Sequence, residues 1–215
     1  MSETWPIVPL TSASAGSKLL TVLGQPIRDR TSERRAATRR EILDAAWAVA
    51  REVGLAQITL REVAHRVGMQ PPSLYSHFES KNAIYDAMFA DAWTECRREF
   101  ATLRRQRTAR AAMKLYARSF FDFAVRDLAR HQLMNQRTIP GFGPTPESYA
   151  PAVATLEDLR EALGAHGITR QEDLDLFVAL VLGLIDTQLA NEPGGSRWRR
   201  LLDRTIDMFA DTLGK

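Results

Sequence analysis

The stretch Thr59–Lys81, TLREVAHRVGMQPPSLYSHFESK, decides the fold. Thr59 offers a hydroxyl that can cap a helix, and Glu62 three residues on can reach back to the Thr59 backbone. T-x-x-E therefore marks a helix start ahead of an apolar-periodic run. Leu60, Val63, Ala64 and Val67 recur at the spacing of one helical face, and Gly68 follows as the residue that tolerates the left-handed conformation ending a helix. The turn is Gly68 and Met69. Pro71 and Pro72 lack N–H donors, which is harmless only in a first helical turn, so a second helix begins near Gln70 and runs through Phe78. Leu74 and Phe78, four apart, pack inward and leave Gln70, Ser73, Tyr75, Ser76 and His77 on or beside the solvent face. Ser80 is a plausible cap for the helix that follows. Two short helices joined by a tight turn make a helix-turn-helix, whose second helix has the size and polarity to enter a DNA groove.

From about Ser32 to Trp93 the chain resembles the N-terminal domain of the TetR family of bacterial transcriptional regulators. The family pattern is an arginine-rich first helix with an alanine-rich core face, a T-[VL]-R-[DE]-[IV]-A helix, a glycine turn, and a recognition helix ending L-Y-x-H-F-x-x-K. Here these read TLREVA, VGMQ and SLYSHFESK. The departure is the pair Pro71-Pro72, where many relatives carry one small or polar residue. The resemblance implies that Thr59, Ser76, His77 and Lys81 meet phosphates. Their chemistry agrees, because hydroxyls donate and Lys81 carries charge at a helix start. Gln70, Ser73 and Tyr75 are the expected base readers, the amide through paired donor and acceptor and the tyrosine ring against a thymine methyl. Pro71 opens that surface, and Arg61, on the exposed side of its helix, is a further phosphate candidate. Tyr75 as a packing residue and His77 bonded to a neighbouring carbonyl are the plainer alternatives.

Charge is placed to suit this reading. Residues 28–81 hold ten Lys and Arg against seven Asp and Glu, and the rest of the chain balances, so the whole net charge of +3 lies in the helix-turn-helix region. Arg28, Arg30, Arg34, Arg35, Arg39 and Arg40 form a basic lead-in that either trails into a flanking minor groove or is a solvated helix face. The 215 residues are 45% hydrophobic, enough for a real core. One cysteine, Cys96, precludes an internal disulfide and reads as a small buried hydrophobe. No leader and no apolar run near eighteen residues stands in the sequence, so a cytoplasmic chain with no membrane partner is expected.

The expected fold is all-α, with about nine helices. Residues 1–30 read as a flexible extension, 31–82 as a three-helix DNA-binding domain, and 83–215 as a helical bundle for ligand binding and dimerisation. Helices are expected at 32–53, from 81 toward 105, and at 109–126, 128–137, 146–166, 170–191 and 196–213. Loops fall at TIPGFGPTPE, HGITR and NEPGGS, each rich in helix breakers.

One recognition helix covers few base pairs, so a symmetric dimer on a near-palindromic operator is expected. Its surface is assigned to the last two helices, through Phe177, Leu180, Leu184, Trp198, Leu202, Ile206 and Phe209, against the alternative that these are buried within one chain. The resemblance further implies a small-molecule effector that lowers operator affinity. Candidate wall residues are Trp93, Phe100, Phe120, Phe123, His131, Met134, Phe142, Phe177 and Asp186, most of which also fit ordinary core. No cofactor is called for, and His131, Met134 and His166 make no metal-ligand spacing. An effector-free DNA-binding repressor is the first alternative. A small helical enzyme carrying a helix-turn-helix is the second, though the sequence holds no phosphate loop, paired His and carboxylate, or nucleophile with a base.

Overall fold

A computed structural model describes residues 30–215 and, among them, only helices. The proposed arm, with Arg28, lies outside the described residues. The first helix, α1 (Arg30–Val53), buries Ile42, Ala46, Val49 and Ala50 as its periodicity requires, while Val53 at its end is exposed. A 3-10 turn at Leu55–Gln57 follows, then α2 (Leu60–Arg66) and α3 (Pro71–Tyr75). Next comes α4 (Lys81–Phe100), whose twenty residues span about 30 Å at the rise of an α-helix and carry the chain from the head into the body.

The body consists of α5 (Ala109–Val125), α6 (Leu128–Asn135), α7 (Pro146–Gly164), α8 (Gln171–Asn191) and α9 (Arg197–Thr212). Most of its helices start at a capping side chain. The hydroxyls of Thr108 and Thr145 and the carboxylate of Asp127 accept backbone N–H groups three residues on. The last helix is different. Ser196 makes no side-chain cap, and the first N–H groups of α9 are met from α8 instead: Glu192 accepts from Arg197 N at 2.8 Å, and Gln188 Oε1 accepts from Trp198 N at 3.0 Å.

Two apolar clusters form. One joins the head to α4 and reaches Phe123, Leu133, Met134 and Ala152, so buried packing is continuous across residues 82 and 83. The other unites α5, α7, α8 and α9. Alongside it runs an ion-pair ladder of four-residue period, Arg110, Lys114, Arg118 and Asp122 on α5 against Asp211, Asp207, Asp203 and Arg199 on α9. The four-residue rows of two neighbouring helices keep such partners in step.

Here the dimer expectation needs correcting. Phe177, Leu202, Ile206 and Phe209 are at most 7% exposed and packed in the second cluster of their own chain, as the alternative reading had it. Trp198 and Leu184 are half-buried, and Leu180 is exposed. The apolar residues that do face outward on these helices are Leu176, Leu180, Leu201 and Met208. Among the described residues no helix is long and apolar enough to cross a membrane.

Candidate DNA-binding interface

Thr59, in extended conformation, accepts the N–H of Glu62 on its hydroxyl oxygen at 3.1 Å, which is half of the expected capping box. The other half is absent, because the Glu62 carboxylate turns toward Arg66. Gly68 ends the helix at φ +68°. Its N–H reaches the His65 carbonyl and that of Met69 the Ala64 carbonyl at 2.9 Å, the paired bonds of a glycine-terminated helix. This turn fixes the angle at which α3 leaves α2.

Pro71 and Pro72 occupy the first positions of α3, where missing donors cost nothing. Regular helix stops at Tyr75, three residues before the expected end, although Phe78 N still bonds the Leu74 carbonyl at 3.0 Å. The Ser76 hydroxyl donates to the Ser73 carbonyl at 2.7 Å, and two arginines of α1 draw the last carbonyls outward. Arg35 donates to the Ser76 carbonyl at 3.1 Å. Arg39 donates to that of His77 while its guanidinium lies 4.0 Å over the Phe78 ring. Cations at a helix C-terminus complement its dipole and satisfy its free carbonyls. Three arginines of the basic lead-in are thus engaged within the protein, since Arg40 pairs with Asp44 of its own helix and with Asp91 of α4.

Leu74 and Phe78 are buried as expected, and Gln70, Ser73, Tyr75 and Ser76 are exposed, Tyr75 by 52%. Thr59 and Arg61 are also exposed, and Pro71 is half-buried at the helix start. His77 is half-buried, and its Nδ1 is a buried atom with no hydrogen-bond partner. Lys81 is half-buried too. Its ammonium donates to the Ala56 carbonyl at 3.0 Å, and burial lowers its pKa from the ordinary lysine value. That bond uses one of three N–H groups and ties the start of α4 to the turn before α2, so Lys81 holds the head together and retains donors for an anion.

Head and body meet through charged contacts that the sequence did not reveal. The Trp47 indole donates to Asp91 at 3.0 Å, and Arg51 bonds Asp127, the cap of α6, at 2.7 Å. Arg130 of α6 lies 4.9 Å over the Trp47 ring and pairs with Glu95 of α4. On its far side α6 presents His131, buried, to Asp186 of α8 at 2.7 Å. On α4, Asp86 takes the Thr145 N–H at 2.7 Å and the Ser148 hydroxyl at 2.6 Å, anchoring the start of α7.

Of the proposed effector wall, Trp93, Phe100, Phe120 and Phe177 line a common cavity of about 50 Å³, together with Tyr116 and Asn135. Phe123 stacks behind Phe120, Met134 belongs to the first core, and Phe142 packs on Tyr85 at 5.5 Å. His131 and Asp186 pair with each other and are not among the lining residues. At this size the cavity holds a water or two, against the several hundred Å³ of an occupied ligand site. Cys96 is buried and its thiol is pushed up to about 12 by desolvation and by Glu99, so it is unreactive packing. No group of three His, Cys, Asp or Glu among the described residues is placed to hold a metal.

Residues 42–88 match the family model for bacterial regulatory proteins of the tetR family. The chain is similar to the class C tetracycline repressor protein of Escherichia coli, 35% identical over 82 residues, which is 38% of this chain and 37% of that protein. It is also similar to the class G tetracycline repressor protein of Vibrio anguillarum, 32% identical over 104 residues, 47% of this chain and 49% of that one. The chain therefore spans under half the length of these curated relatives. In fold the likeness extends further. The crystal structure of FadR from Bacillus subtilis in complex with stearoyl-CoA superposes with a TM-score of 0.59 over 79% of this chain and 96% of that one, at 16% identity.

Proposed function

Since the chain belongs to the TetR family of bacterial regulatory proteins, we propose that it is a transcriptional repressor that binds a near-palindromic operator as a homodimer and lets go when a small molecule enters the body. The reading divides the chain into a DNA-binding domain at 31–82 and a ligand-binding and dimerisation domain at 83–215. The observation that carries it is α3 with its flanks: the helix buries Leu74, the chain just past it buries Phe78, and Ser73 and Tyr75, with Gln70 and Ser76 at its two ends, face solvent. A five-residue helix has too little apolar face to persist alone, so its preorganisation by Gly68, Arg35 and Arg39 must serve presentation. Gln70, Ser73 and Tyr75 read base edges; Thr59, Arg61, Ser76 and Lys81 contact phosphates, and His77 stiffens the end of the reader.

The dimer pairs α8 and α9 with their copies through Leu180, Leu201 and Met208, an exposed apolar set that a water-facing surface does not require. Effector control has support in the structural relative FadR, which is described with a small molecule bound, and the apolar cavity at the far end of α4 would have to widen to admit one. Selection of bound fragments from random DNA with the purified chain tests the reading. Gln70→Ala and Tyr75→Ala are expected to change which sites win, whereas Thr59→Ala and Lys81→Ala weaken all sites alike. Equal behaviour of the two groups would refute the division of roles, and no enrichment at all would refute DNA reading.

A further inference from the structure

We infer that the effector is an elongated, uncharged molecule with a single carbonyl-type acceptor, and that it enters between α7 and α8 with its acceptor directed to the indole N–H of Trp93. The inference rests on the effector-responsive reading above. The inner cavity has no charged side chain on its wall. A carboxylate or ammonium taken into it would lose its hydration with no counter-charge to offset the loss. Two polar groups on the wall are already engaged: the Thr155 hydroxyl donates to the Pro151 carbonyl at 2.7 Å and the Asn135 amide to that of His131 at 3.3 Å. Trp93, 8% exposed, is different. Its Nε1 is buried and has no partner, and a buried donor left unmade is a standing cost that an acceptor would relieve.

The shape of the site sets the length of the molecule. Leu156, Leu159 and Val178 belong both to the cavity wall and to an open groove of about 690 Å³ between α7 and α8. These three side chains are thus a partition between the two spaces. Leu176 and Leu182 continue the groove, and Arg160, Glu172 and Asp175 stand at its rim. A molecule that turns the partition aside lays an alkyl body along the groove and seats its ring among Phe100, Phe120 and Phe177. The aromatic wall favours a ring there, through edge and stacked contacts of the kind Phe100 already makes with Tyr116 at 5.4 Å.

Titration of the full chain with octanophenone, octylbenzene and 4-octylbenzoate, read by calorimetry, tests this. The neutral ketone is expected to bind best, with octylbenzene weaker by about tenfold, the worth of one hydrogen bond, and the anion weaker by about a hundredfold or more, the cost of burying a charge without a partner. Trp93→Phe should weaken the ketone by about fivefold to tenfold and leave octylbenzene unchanged, while Val178→Trp should weaken both. Equal affinity for the anion, an equal effect of Trp93→Phe on both neutral compounds, or no effect of Val178→Trp overturns the inference. If Val178→Trp instead alters only the oligomeric state, the groove belongs to a second copy of the chain. Octanophenone that binds but leaves the selected operator complex intact counts against effector control. Operator release by other molecules while none of the three compounds binds overturns this ligand class and leaves the regulator reading standing.

Discussion

Replacing Gln188 by Leu tests how α9 is held. Gln188 is 1% exposed, and its Oε1 accepts the backbone N–H of Trp198 at 3.0 Å and, more weakly, of Arg199 at 3.4 Å, while its amide donates to the Glu192 carbonyl. Leucine keeps the volume and removes the acceptor. One well-formed helix-terminal N–H is then left buried without a partner, which costs about 1–3 kcal/mol; the longer bond adds little, and water can replace the donor lost to the exposed Glu192. A loss near 2 kcal/mol is expected, equivalent to about 4–8 °C in Tm for a chain of this size. The assay is urea unfolding at fixed protomer concentration, because dimerisation would make stability concentration-dependent. Gln188→Glu keeps an acceptor at a helix N-terminus but buries a carboxylate and turns it against the Glu192 carbonyl, so it is expected to be at least as destabilised as the Leu variant. A Leu variant within about 0.5 kcal/mol of the parent would refute cross-helix capping as the reason for this buried amide.

Arg39→Ala releases the end of α3 and should lower operator affinity about fivefold while leaving the ranking of selected sites unchanged; a changed ranking would make Arg39 a reader. Leu180→Glu with Met208→Glu should give a monomer by sedimentation, with folding intact by circular dichroism, whereas an unchanged mass would move the interface elsewhere. Arg118 holds the Asp203 carboxyl below its ordinary value of 3.8, and Lys114 does the same for Asp207. A depressed folded-state pKa gives stability that is present above the ordinary value and fades as pH falls through the lower one. The Tm difference between the parent and Arg118→Met should therefore be visible at pH 6 and shrink steadily below about pH 4; a difference that persists in strong acid would mean packing, and not charge, carries it. The Cys96 thiol, pushed up to about 12, should react with a disulfide reagent at pH 8 roughly a thousandfold more slowly in the native chain than in denaturant, and rapid native labelling would contradict its burial.

The helix-turn-helix was legible because its signals are local. Thr59, Gly68 and the two prolines act on the backbone within a turn of themselves, and Leu74 with Phe78 declares an inward face by spacing alone. Helix positions in the body followed from breakers and period for the same reason. The expected ends that moved furthest, those of α3 and α4, lie where the chain leaves regular helix through turn bonds, and those of α6 and α7 moved by two residues. The effector wall was half legible. Bulky apolar residues announced a core, but Trp93, Phe100, Phe120 and Phe177 converge while Phe142 and Met134 do not, and spacing along one helix carries no information about convergence between helices.

What the sequence by itself determined was the all-α order, the helix-turn-helix and the polar face of its second helix, since each depends on interactions spanning a few residues. Only the tertiary structure decided that Arg35 and Arg39 clamp the end of α3, and that Gln188 caps a helix ten residues away. It also decided that Leu202, Ile206 and Phe209 are spent inside the chain while Leu201 and Met208 remain outside. An apolar period states that a face must be covered. Which neighbour covers it is set by how distant helices pack, and that is a property of the whole chain.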